Sequence, residues 1–167
     1  MKYFALICVL AVPVITGAAA ARPGGANDGA LSVKNASGRV VIVGRGVVIG
    51  RFDKGQVTIK DPNPNDGVAP IVTGADSTQS LGEKTTRYSG TNLRFRMIGG
   101  GSFTVNVFAT DIDLSAVARG HVQLNGAIAK GSTDNADATY AVNGDPPLPF
   151  PTYPLTFPLA AQTGPGG

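Results

Sequence analysis

The chain has 167 residues, of which 43% are aliphatic or aromatic and only 15% are Asp, Glu, Lys or Arg, a size that fits one ordinary domain. Its 23 glycines and 12 prolines argue against long regular helices, and the net charge is a modest +3. These values exclude a multidomain enzyme, a coiled coil, a charged disordered tail and a nucleic-acid footprint, and leave a turn-rich, short-stranded β domain.

Residues 1–21 read MKYFALICVLAVPVITGAAAA. Lys2 supplies a minimal basic start, Phe4 to Ile15 form an apolar run, and Ala18 to Ala21 offer small residues at an A-x-A spacing. This is the grammar of a secretory signal peptide cut after Ala20 or Ala21. The apolar run falls short of the roughly 20 residues needed to span a bilayer, so the only membrane contact expected is that of the signal peptide before cleavage. Cys8, the single cysteine, leaves with it. The exported chain then has no thiol, which excludes disulfides, cysteine nucleophiles and thiolate metal sites. Loss of Lys2 leaves 13 basic against 11 acidic residues.

Residues 22–30 are small and polar and predict a flexible leader. From Leu31 the pattern has period two: Leu31/Val33, Val47/Ile49, Val57/Ile59, Leu93/Phe95/Met97, Phe103/Val105/Val107 and Val122/Leu124 alternate with other residues. Such alternation turns one residue set to a core and the other to water. Four short segments ending in glycine, at Gly38, Gly55, Gly101 and Gly120, each precede a Gly-x-apolar-x-apolar run and predict four hairpin turns. Residues 47–59 also align with 112–124 at an offset of 65, Val47 on Ile112, Ile49 on Leu114, Val57 on Val122.

Residues 62–90 form an insert. It opens on a Pro/Asn/Gly cluster, continues through Ile71 and Val72 into a polar stretch from Gly74 to Glu83 that predicts a mobile loop, and ends in a strand over 84–89. Thr139–Val142 predicts a further strand. Residues 143–167 hold seven prolines and predict an extended segment in which Leu155, Phe157 and Leu159 form an edge strand.

The sum is an all-β chain: an antiparallel, hairpin-rich sandwich or barrel with an internal two-hairpin duplication, and a short β-solenoid as the alternative. The solenoid rests on the 17 and 19 residues separating Gly38 from Gly55 and Gly101 from Gly120. The β domain spans 31–142, with repeat units 31–61 and 91–126 about the insert 62–90. The stretches GRGVVIGRFDKGQVTIKD and RYSGTNLRFRMIGGGSFTVNVFATDIDLSAVARGHVQLNG, within residues 44–126, resemble an uncharacterised family of small exported bacterial all-β proteins. That resemblance implies export and a β fold, and carries over no activity and no site residues.

Chemistry-bearing residues are sparse. Gly44, Gly46 and Gly50 lie in a β-branched run rather than between a strand and a helix, so they are read as glycines at a hairpin corner and no dinucleotide site. His121 is the only histidine and points to solvent by strand phase. Asp111 and Asp113 share a polar strand face, too close side by side for a hydrolase pair facing across a cleft, and no Asp-rich loop completes a calcium site. No catalytic, cofactor-binding or metal-binding residue is assigned. Arg94 and Arg96 share one face, and with Arg87 and Tyr88 form the expected binding surface, Arg51 extending the basic stripe. Against that stands the simpler reading of charges that keep an exposed strand from aggregating. The mature chain has no Trp, which counts against a glycan-stacking platform.

The function expected is that of a secreted or cell-envelope-associated, non-catalytic β domain. Its role is structural or binding, and its partner an anionic envelope polymer or another envelope protein. The first alternative is a small β-barrel holding an apolar ligand between Leu93, Phe95, Met97, Phe103 and Val105. The second is an envelope-acting hydrolase, which requires Asp111 or Asp113 to meet His121 or another carboxylate in a cleft.

Overall fold

The computed structural model describes residues 27–65, 68–126 and 135–161. The signal-peptide reading of residues 1–21 lies outside the described residues. The structure is all-β, with strands β1 (Gly29–Lys60), β2 (Val68–Gly82), β3 (Thr85–Asn125), β4 (Thr139–Val142), β5 (Leu148–Pro149) and β6 (Leu155–Leu159). Pairing is antiparallel throughout, in the order β2-β3-β1-β4-β5 with β6 also on β3, and the sheet is not closed.

The four glycine-ended segments are not hairpin turns. A hairpin closing at Gly38 would set Val33 against Val40, whereas Val33 pairs with Leu114 and Val40 with Val107 and Leu124. The chain bends at these points and runs on, so that β1 and β3 reach 32 and 41 residues. The physical reason for the difference is that a glycine can reverse a chain or merely bend it, and the flanking alternation looks the same either way. Gly38 and Gly55 have φ of +140° and +155°, and both lie opposite Ala109, where an added Cβ would strike backbone or Ala109 itself.

Through these bends β1 and β3 alternate between two ladders. The first crosses Leu155, Leu124, Val40, Val107, Val57, Tyr88 and Thr78; the second crosses Ala141, Ser32, Ser115, Ile49, Arg96 and Ile71. Each strand meets its partner again one step further along. Val107 touches Val40 on one side and Val57 on the other, a step of 17 residues, and Val57 touches Val107 and Tyr88, a step of 19. The 17-residue glycine spacing that suggested a solenoid is this step. The offset-65 alignment is split by burial. Val57, Val122, Ile59 and Leu124 all face the core, but Val47 and Ile49 face outward where Ile112 and Leu114 are buried.

Alternate residues of both ladders enter one core cluster, among them Phe52, Phe95, Met97, Phe103 and Ile112. Full burial of each such side chain stabilises by about 2–3 kcal/mol before entropy is counted. Val48, Gly50 and Phe52 carry the inward phase of the middle of β1, one residue off the Val47/Ile49 phase expected from apolarity alone.

Two further expectations change. The polar stretch from Gly74 to Glu83 is no loop. Most of it belongs to β2, an edge strand exposed along nearly its whole length and hence without the alternation that marks half-buried strands. A tight two-residue hairpin lies instead between β2 and β3, where Gly82 pairs with Thr85 and the two central residues, Glu83 and Lys84, have φ of 46° and 57°. The leader also ends sooner, because β1 starts at Gly29 and Ala30 exchanges hydrogen bonds with Asn143. The strands expected at 84–89, 139–142 and 155–159 are present, in β3, β4 and β6. The proline-rich segment packs on the body through buried Phe150 and Leu159.

Candidate functional site

The second ladder presents its outer face as rows of side chains, because every second residue of each strand points away from the core. One row runs Thr73, Arg94, Arg51, Asp113. The next runs Ile71, Arg96, Ile49, Ser115, Ser32, and the third Val68, Ile98, Val47, Val117, Ala30. Successive rows lie about 7 Å apart along the strands. An open groove of about 550 Å³ occupies the first two, lined by Lys34, Arg51, Arg94 and Arg96 together with Ile49 and Ile71.

Electrostatics in the groove are one-sided. Four cations line it against a single carboxylate, Asp113. The Arg51 Nε and Nη2 both donate to Asp113 Oδ2, at 3.0 and 2.6 Å, and the Asn35 backbone N–H donates to Oδ1 at 3.2 Å. Burial pushes the Asp113 carboxyl up. The Arg51 hydrogen bond, the Asn35 N–H and the charges of Lys34 and Arg51 outweigh it and hold the group below the usual carboxylate value. The same hydrogen bond and charge raise the Arg51 guanidinium further. Among the described residues no carboxylate lies within ion-pair distance of Arg94 or Arg96.

The four residues of the expected binding surface are divided between the ladders. Arg94 and Arg96 stand together in the groove. Arg87 lies on the first ladder opposite Thr58 and Gln79, with its Nε buried and without a hydrogen-bond partner. Tyr88 points the other way and packs against the core beside Val57. The polar stripe therefore keeps Arg51, Arg94 and Arg96 and loses Arg87 and Tyr88. It gains Lys34, Ile49 and Ile71. Lys34 had a signal in its place beside Val33, but its closeness to Asp113 depends on pairing across 79 residues. Ile49 was hidden by the wrong phase.

His121 sits on the outer face of the first ladder, opposite Val43 and Pro158, and Asp113 pairs with Arg51 on the second. The strand registers thus do not bring the histidine to that aspartate. Asp111 is exposed with φ of 51°, beside Asp53 and Asn92. Among the described residues no group of three His, Cys, Asp or Glu side chains is placed to share a metal ion. Leu93, Phe95, Met97, Phe103 and Val105, the expected lining of an apolar cavity, are at most 2% exposed and belong to the packed core cluster.

Compared with known proteins, the chain matches no protein-family model, no curated protein and no solved structure.

Proposed function

We propose that this protein is an exported, non-catalytic β domain that binds an anionic component of the cell envelope through the outer face of its second ladder. The observation that carries this is the groove with Lys34, Arg51, Arg94 and Arg96 against one carboxylate that Arg51 already engages. Clustered, unpaired guanidinium groups on a rigid sheet suit phosphate or carboxylate recognition, since each presents a fixed fork of donors. Export is supported by the leader sequence of residues 1–21. We read the two ladders over one core as the two layers of a sandwich, a scaffold that needs no disulfide.

Retention of the exported chain on an immobilised glycerol-phosphate polymer tests the proposal, with a neutral glycan as control. The expected result is retention at low salt that weakens as the Debye length shrinks, and an Arg94→Ala/Arg96→Ala variant that is lost from the column. No retention at low salt, or retention unchanged in the double variant, overturns it. Mass analysis of the exported chain is expected to give an N-terminus at Ala21 or Arg22.

A further inference from the structure

The groove is only part of its face. Side-chain character changes steadily along the strands, from the charged row of Arg94, Arg51 and Asp113 to the wholly apolar row of Val68, Ile98, Val47, Val117 and Ala30. Water reaches these apolar groups: Ile49 and Ile71 are 50% exposed, Val68 52% and Val117 37%. Four of the nine large exposed hydrophobic side chains among the described residues stand on this one face. Beyond the apolar row, at the bend, the exposed pair Arg45 and Arg119 lie opposite each other. A stripe of aliphatic side chains is thus flanked by cations on both sides.

The outer face of the first ladder gives the contrast. Its central row reads Gln123, Val41, Asn106, Thr58, Arg87 and Gln79, almost entirely polar. The rows beside it hold exposed Val43 and Phe108, but each is set between polar neighbours, Val43 between His121 and Thr104 and Phe108 between Arg39 and Gln56, so no continuous apolar row forms on that face.

We infer that the outer face of the second ladder docks on an anionic lipid surface. The inference rests on the proposed function, whose anionic component it identifies. Aliphatic side chains set into the headgroup–acyl boundary, with arginines beside them reaching the phosphate plane, give both parts of the face a partner at once. A soluble polyanion would engage the arginines and leave the valines and isoleucines in water. A second copy of the chain laid on the same face would set the cationic groove of one against that of the other. The exposed aliphatic stripe argues against the soluble polyanion and charge repulsion against the second copy, which leaves the anionic lipid surface as the partner that suits both parts of the face. Membrane contact would then belong to the folded domain, where the sequence alone confines it to the leader.

Sedimentation with large vesicles tests this, using phosphatidylcholine with and without about a third phosphatidylglycerol, and inorganic polyphosphate as a soluble comparison. Two variants are compared with the parent: Arg94→Ala/Arg96→Ala and Ile49→Ser/Ile71→Ser. All are surface changes, checked for folding by circular dichroism. The three chains share one N-terminus, so any contribution of residues 1–21 cancels. Binding to the phosphatidylglycerol vesicles alone is expected, lowered roughly tenfold or more by loss of the two charges. The isoleucine variant is expected to lose vesicle binding severalfold while keeping its polyphosphate binding.

Polyphosphate binding without vesicle binding, or vesicle binding indifferent to the isoleucines, overturns the lipid inference and leaves the anion-binding proposal standing. Equal binding to vesicles lacking phosphatidylglycerol overturns the inference too. Failure to bind either vesicles or polyphosphate overturns both.

Discussion

Arg51 donates two hydrogen bonds to one oxygen of Asp113, and the other oxygen accepts the N–H of Asn35, so a single carboxylate ties three strand segments together. Burial raises the Asp113 pKa, but the Arg51 and Asn35 hydrogen bonds and the Lys34 and Arg51 charges more than reverse this. A folded-state pKa below the unfolded value adds stability that is present above the unfolded carboxylate value, about 3.9. It is lost as pH falls through the folded value. Thermal unfolding followed from pH 7 to pH 2 should therefore show an acid slope that is shallower in Asp113→Asn. An identical slope in parent and variant would remove Asp113 from the account.

The same carboxylate also restrains the groove. Asp113→Asn removes the one negative charge in the lining and frees Arg51 for an external anion. Binding of the variant to polyphosphate should tighten, by roughly severalfold for one unit of charge at a partly screened surface. Weaker binding would mean that Asp113 positions Arg51 for the ligand and does not compete with it.

Much of the strand pattern was readable in the sequence, because Leu93/Phe95/Met97 and Phe103/Val105/Val107 alternate cleanly and all six are buried. The middle of β1 was not. Gly44 to Gly50 offers three β-branched residues in succession, Val47, Val48 and Ile49, and apolarity cannot say which of Val47 and Val48 faces in. The core is chosen by register with β3, a long-range fact. Val48 is fully buried and Ile49 half exposed. Val48→Ala should cost about 2 kcal/mol, and Ile49→Ser about 0.5 kcal/mol or less, measured by urea unfolding. The reverse order would restore the phase that apolarity suggested. The candidate site was half readable for the same reason: Arg94 and Arg96 share a face by spacing alone, but Lys34 and Ile71 join them only through pairing.

The bends give a second measure of what the glycines do. At Gly38 the φ is +140°, and an added Cβ would strike Asn125 O and come within 2.8 Å of Gly126 Cα. Gly82 has φ of +77° with nothing within 4 Å of a Cβ. Gly82→Ala should therefore cost only the backbone term, about 1 kcal/mol. Gly38→Ala adds a clash between neighbouring strands and should cost about 3 kcal/mol, or roughly 10 °C in Tm. Equal costs at the two sites would mean that close approach between strands is not what requires glycine at the bend.

Glu83 and Lys84 are poor residues for the turn they form. Both have positive φ in a two-residue hairpin loop, the geometry that favours Asn-Gly. Each pays backbone strain that Asn or Gly would relieve. What holds them is local: Lys60 Nζ meets Glu83 Oε2 at 3.2 Å, and Lys84 Nζ donates to Pro62 O. Those contacts are exposed, and an exposed ion pair contributes little. The double change Glu83→Asn/Lys84→Gly should therefore raise stability by about 1 kcal/mol, seen as a rise of roughly 2–4 °C in Tm. Because β2 is an edge strand paired only with β3, the gain should appear chiefly as slower amide exchange between Ser77 and Gly82. A loss of stability in the double variant would show that the Lys60 and Pro62 contacts, and not turn strain, set the energy of this hairpin.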